Sequence, residues 1–302
     1  MKKLIIKLLY FFFLTLAAVI VYFFSVYQAS SYRTSFKLNQ DTKYVIFGHS
    51  HAECDYNDSL INKFQNLAES GESYLYSYIK LKNVLIYNGQ LDTVFIEFTN
   101  NNIGAAKDKE LWSDKYINWR YPKYAPFFGL AEHFLLLTKN FRSFKESFPI
   151  SIERNTELAM SSNLKKFSGL GGYVYLQRDK TDSLMAIKKP PKIKNEIEKD
   201  ISKYNIDYLE KMILECRKFD VTPILIRSPL HPYHPSVKNE LTFQHLLNTR
   251  FSDIYFIDYK DMQFKTAEFG DFNHLNFRGA EKFSKYINRS LENNMLFNSS
   301  QL

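Results

Sequence analysis

Tyr44-Val45-Ile46-Phe47-Gly48-His49-Ser50-His51 is the stretch on which the reading of this chain turns. Its first four residues form an apolar run that reads as a buried strand, and a serine follows at the strand's tip. Further strand-like runs recur along the chain. A link around Gln65-Asn66-Leu67-Ala68 can hold a second strand. Thr93 to Phe98 is β-branched and aromatic, Val221 to Arg227 is closed by Ser228-Pro229, and Asp253 to Ile257 is another apolar run. Residues 56–64, 72–87, 201–218 and 277–292 read as helices between them. Strands alternating with helices imply βαβ units, hence an α/β domain whose parallel sheet is covered on both faces.

The chain has 302 residues and a net charge of +8, a length that suits one large α/β domain or two small ones. With 45% hydrophobic and 17% aromatic residues, it can bury a substantial core. Part of that apolar content is a single uncharged run from Leu8 to Tyr27, long enough to cross a bilayer as a helix. Lys2, Lys3 and Lys7 precede it, so the positive-inside rule expects a cytoplasmic N-terminus and an exported remainder. A cleaved signal peptide is the alternative, with Ala29-Ser30-Ser31 as its cleavage site.

The expected organisation is an anchor over 1–28, a stalk over 29–42, an α/β domain over 43–292 and a tail over 293–302. The anchor would be a single pass through the inner (cytoplasmic) membrane, with the domain on its periplasmic or extracellular side. Residues 104–198 break the alternation and read as a long insertion. It is aromatic at first, then carries Gly169-Leu170-Gly171-Gly172 and a lysine-rich stretch around Lys188 to Lys199. An exported domain without a recognisable nucleic-acid motif argues against nucleic acid as a partner. Cys54 and Cys216 are expected to be buried free thiols.

In open parallel sheets ligands bind beyond the C-terminal strand ends, and the polar segments gather there. Ser50 follows the first strand, Gly71 the second, Asn100 and Asn101 the third, and Asp271-Phe272-Asn273-His274 comes after the last by a loop. Ser50, His274 and Asp271 supply a hydroxyl nucleophile, an imidazole to take its proton and a carboxylate to hold the imidazole. The plain alternatives are a helix cap at Ser50, a capping pair at Asp271 and His274, and turn residues at Gly71 and Asn101.

These four blocks resemble those of the SGNH (GDSL-type) hydrolase superfamily. The first matches its G-D-S block with His49 in place of the usual Asp. Asn66-Leu67-Ala68-Glu69-Ser70-Gly71 resembles the second, and Thr99-Asn100-Asn101 resembles the G-x-N-D block with Thr99 in place of Gly. Asp271 to His274 is the D-x-x-H block. The resemblance covers residues 43–102 and 220–292. It implies a three-layer, flavodoxin-like fold and catalysis by Ser50, His274 and Asp271 without cofactor or metal. It also implies an oxyanion hole from Gly71 and Asn101, with Asn100 as the alternative donor.

His49, His51, Arg227 and His231 are candidate substrate contacts, as is His234; a rigid proline-rich loop is the plain reading of residues 230–235. Membrane-bound members of the superfamily modify envelope polymers, as in alginate-type O-acetylation and teichoic-acid D-alanylation. The resemblance therefore implies an esterase or acyltransferase acting on an acylated envelope glycan, with a membrane acyl donor as a further partner. A non-catalytic polymer-binding or scaffolding module is the second reading. A metal-dependent phosphoesterase, with His49, His51, Glu53 and Asp55 as ligands, is the third.

Overall fold

The computed structural model describes residues 1–192, 194, 197, 200–293 and 295–296. The chain divides into two compact units, Met1–Phe36 with Leu111–Ser168, and Lys37–Glu110 with Gly169–Leu302.

The second unit is α/β. Its strands are β1 (Tyr44–Phe47), β2 (Phe64–Asn66), β3 (Thr93–Glu97), β4 (Thr222–Arg227) and β5 (Phe256–Asp258). All neighbours are parallel, in the order β2-β1-β3-β4-β5. The principal helices are α1 (Ser50–Asp55), α2 (Tyr74–Tyr87), α3 (Lys203–Lys218), α4 (Glu240–Arg250) and α5 (Phe277–Glu292). Successive strand residues face opposite sides, and both sides are buried. Ile46, Phe95, Ile224, Ile226 and Ile257 share a core with Ala52 of α1 and Phe283, Ile287 and Leu291 of α5. Val45, Phe47, Val94, Ile96 and Leu225 alternate with them and are equally buried. Lys80 of α2 lies over the Phe47 ring at 5.7 Å, and α2 packs on α3.

The first unit is largely helical, with helices Lys2–Tyr32, Asp114–Tyr124, Leu130–Lys139 and Phe141–Ala159. The N-terminal helix is apolar and long enough to cross a membrane, which a signal sequence also satisfies.

Several expectations change. Residues 56–64 are not a helix: they hold a 3-10 turn, Asp58–Leu60, and enter β2 at Phe64. The stalk is not a solvated linker. The N-terminal helix continues to Tyr32, Thr34–Ser35 pairs in parallel with Lys165–Lys166, and Phe36 is buried against Phe127 and Phe167. Only residues 111–168 of the expected insertion join the helical unit; those from Gly169 onward return to the α/β unit. There Gly171, at φ +87°, packs so tightly on the Leu67 and Ala68 carbonyls that a Cβ would collide. The lysine-rich stretch and the tail lie partly outside the described residues. Cys54 and Cys216 are buried free thiols.

Candidate active site

The sharp turn after β1 is built around Glu97, the last residue of β3. One Glu97 carboxylate oxygen accepts the His49 N–H at 2.9 Å and the Ala52 N–H at 3.2 Å, so it satisfies donors at the start of α1 that have no helical partner. The glycine at 48 follows from this: a Cβ there would run into the Glu97 side chain and Ala52. His49 caps α1 and Ser50 is its first residue. The cap alternative for Ser50 therefore falls to its neighbour. Burial raises the Glu97 carboxyl to about 7, against the lowering by its two N–H donors. Burial pushes His49 well below the usual imidazole range. The 3.3 Å approach of His49 Nε2 to Glu97 Oε1 is thus between groups driven toward their neutral forms.

Asp271 organises the other half as a tight turn. Its Oδ1 accepts the Asn273 N–H at 2.8 Å, the His274 N–H at 3.1 Å and His274 Nδ1 at 2.9 Å. Arg178 is paired with its other oxygen. Burial would raise this carboxyl, but the His274 bond and charge, the Asn273 N–H and Arg178 hold it well below the usual carboxylate range. It is ionised at neutral pH. Asn276, not Asp271, caps α5, accepting from Arg278 and Gly279, so the capping-pair alternative does not apply.

The two halves meet through α1. Asp55, fully buried, accepts the Leu275 N–H at 3.1 Å, and Ser284 of α5 accepts the Asn57 N–H at 2.8 Å. These ties bring His274 Nε2 to 2.8 Å from Ser50 Oγ. Ser50, His274 and Asp271 form one continuous chain of hydrogen bonds, with Ser50 half-buried.

Gly71 lies in a turn that is hydrogen-bonded back to the first block by the Glu69 N–H on the Gly48 carbonyl at 3.2 Å. Its φ of +67° lies in the left-handed region that favours glycine. A buried ion pair, Lys80 to Glu72 at 2.8 Å, anchors the same turn. Asn100 and Asn101 part company. Asn100 is buried, accepting from Arg227 at 2.8 Å and donating to Glu240 at 2.8 Å. The Asn101 amide reaches the histidines, with Nδ2 at 3.3 Å from His51 Nε2 and 3.4 Å from His234 Nε2.

His51 is the hub of a cluster. Its ring centroid is 5.0 Å from His49, 5.2 Å from His234 and 5.4 Å from His274. Burial, with repulsion from the neighbouring imidazoles, lowers His51 far below its ordinary value. Burial and His274 bring His234 to about 4. Both are neutral at pH 7, as hydrogen-bond partners of one amide should be.

The expected substrate contacts divide. Arg227 is not one: it is fully buried and bonds Asn100, Glu240 and Asp258, because a guanidinium inside a sheet needs carboxylates. His49 is buried, capping α1 beside Glu97. His231 stacks on Phe272 at 5.0 Å and faces a cavity of about 450 Å³ lined by Leu230, Tyr233, Met262 and Phe264. His234 is the side chain that the 230–235 loop adds to the cluster. A cavity of about 720 Å³ opens beside Asn101, lined also by Lys107, Glu110, Lys194, Asp200 and Lys238. Asn101 is what it shares with the cluster; Ser50 is not in its wall.

The proposed ligand set disperses. Glu53 bonds Ser70, and Asp55 holds Leu275. Among the described residues, no three His, Cys, Asp or Glu side chains converge as metal ligands. Sequence reading missed Glu97 and Arg178. A glutamate inside Val94-Phe95-Ile96-Glu97-Phe98 was the available signal, since a charge in a buried strand needs a partner. Arg178 carried no local signal.

A model of an uncharacterised family matches residues 173–296. That stretch contains Arg178, His234, Asp271 and His274, while Ser50, Glu97 and Asn101 precede it. No curated protein matches the chain.

Proposed function

We propose that this protein is a membrane-anchored serine acyl-ester enzyme: an esterase or O-acyltransferase that modifies a cell-envelope glycan through an acyl-Ser50 intermediate. One observation carries the reading, the continuous chain from Ser50 Oγ to His274 Nε2 at 2.8 Å and from His274 Nδ1 to Asp271 Oδ1 at 2.9 Å. A serine hydroxyl is a weak nucleophile until an adjacent base takes its proton. His274 is that base as Ser50 attacks an ester carbonyl. Asp271, held ionised, keeps the proton on Nδ1 and stabilises the imidazolium. The Ser50 and Gly71 N–H groups have no acceptor among the described residues, which suits them to hold the developing oxyanion, and the Asn101 amide is the third candidate donor. Each such donor is worth about 2.7–4 kcal/mol of barrier. His274 then returns the proton to the leaving oxygen, and water or a sugar hydroxyl resolves the acyl-enzyme.

The fold supports the same reading. Strand order 2-1-3-4-5 is that of flavodoxin-like sheets, which bind ligands at the C-terminal strand ends where the order reverses. Ser50 follows β1, at that reversal. The resemblance to envelope-modifying SGNH proteins favours a glycan substrate, and the N-terminal helix, with Lys2, Lys3 and Lys7 before it, favours an extracytoplasmic location.

The test is labelling of the full-length protein with a fluorophosphonate, followed by mass spectrometry. An adduct on Ser50, lost in Ser50→Ala and His274→Ala, is expected. A wild-type protein that folds and takes no label would leave a non-catalytic polymer-binding module instead. Labelling with an acetyl donor, chased by water or by a glycan, distinguishes esterase from transferase.

A further inference from the structure

Residues 1–22 of the N-terminal helix are all exposed, and protein packing begins at Phe23. From there the helix runs beside helix Phe141–Ala159. Phe23 meets Phe148 at 5.0 Å, Tyr27 bonds Ser151 at 3.0 Å and Ser30 bonds Asn155 at 2.7 Å. Numbers rise together on both, so the helices are parallel. At 1.5 Å per residue, Phe141 therefore lies about 10 Å below Phe148, level with about residue 16 of the N-terminal helix.

A helical crossing takes about 20 residues. Even if the hydrocarbon starts as early as Lys2, it reaches about residue 21, several residues above the level of Phe141. A start at Leu8 sinks Phe141 further.

We infer that the turn joining helices Leu130–Lys139 and Phe141–Ala159 is a membrane-interface element, seated in the bilayer leaflet beside the N-terminal helix. The inference rests on that helix being a membrane span and is independent of the proposed chemistry. Its composition fits. Phe141 is 63% exposed, a cost in water that lipid removes. Lys139, Arg142 and Lys145 flank it, Arg142 paired with Glu146 at 3.0 Å, and these cationic side chains are long enough to carry their charges up to the headgroups while their stems stay in the apolar layer. A groove of about 510 Å³ extends the same surface, apolar at Tyr22, Phe23, Phe148 and Ile152, with Glu153 and Glu157 farther from Phe141 along the helix. The exposed end of the helical unit is thus occupied by lipid.

The test uses full-length protein in vesicles of phosphatidylcholine and phosphatidylglycerol. Single cysteines are labelled with an environment-sensitive fluorophore at Leu14→Cys, Phe141→Cys, Arg142→Cys and, as the reference past the far end of the same helix, the exposed Leu164→Cys. The native thiols are buried and stay unlabelled. Labels at 14, 141 and 142 should emit blue-shifted from that at 164 and lose intensity to nitroxide lipids. Quenching at 14 with water-like emission at both 141 and 142 would overturn the seat while leaving the span intact. Water-like emission at 14 as well would remove the span on which the inference rests. Arg142 is 79% exposed on its side chain, so its variant reports even where Phe141→Cys perturbs packing.

Discussion

Replacing Glu97 with glutamine removes a titration without removing a hydrogen bond. The oxygen that accepts the His49 and Ala52 N–H groups is a single atom, and a glutamine carbonyl can take both. The lost property is the carboxyl proton, bound in the folded state up to about pH 7 against an ordinary value of 4.5. Between those values the folded protein binds more protons than the unfolded one, so stability must fall as pH rises. The contribution is fully present below pH 4.5 and is lost as pH passes 7. At about 1.4 kcal/mol per pH unit, the loss comes to about 3 kcal/mol. The assay is urea unfolding of full-length wild type and Glu97→Gln in detergent across that window. Taking the difference cancels the groups common to both. Wild type should lose about 3 kcal/mol relative to the variant from acid to mildly alkaline pH. A difference independent of pH would refute the reasoning, because Glu97 would then titrate alike in both states.

Further outcomes follow from the same contacts. Asp271→Asn should slow fluorophosphonate labelling on the order of 10⁴-fold by releasing the His274 tautomer, with the helix cap at Asn276 intact. Asn101→Ala should slow labelling about 10²–10³-fold with little change in melting temperature; Asn100→Ala should cost about 1–3 kcal/mol of stability by leaving buried partners unsatisfied. Arg227→Ala should cost about 3–5 kcal/mol in denaturant unfolding, since Asp258 and Glu240 lose their counter-charge. Gly48→Ala should cost about 1–3 kcal/mol by overpacking Glu97 and should slow labelling, since the turn that carries Ser50 must shift.

What was readable in advance was local. Tyr44 to Phe47, Thr93 to Phe98 and Val221 to Arg227 announce buried strands because apolar β-branched and aromatic residues leave few other options. Residues 277–292 announce a helix by their period, and the structure ends that helix at the same residues. Residues 56–64 misled, because a polar stretch with scattered apolar residues also fits a turn entering a short strand. The N-terminal helix was legible as an apolar segment, but its packing was not. Hydropathy registers Phe23, Val26 and Tyr27 as apolar but is blind to whether lipid or a second helix covers them.

The sequence by itself determined the parallel α/β architecture, the candidate nucleophile and the Asp271-to-His274 block, since each is written in a few consecutive residues. Only the tertiary structure decided which asparagine faces the histidines, that Arg227 is an internal counter-ion, that Glu97 holds the turn carrying Ser50, that His234 meets Asn101, and that Arg178 pairs with Asp271. Those roles depend on groups far apart in the chain coming within hydrogen-bond reach. That proximity is set by sheet order and by the packing of α1 on α5, which no single stretch of residues encodes.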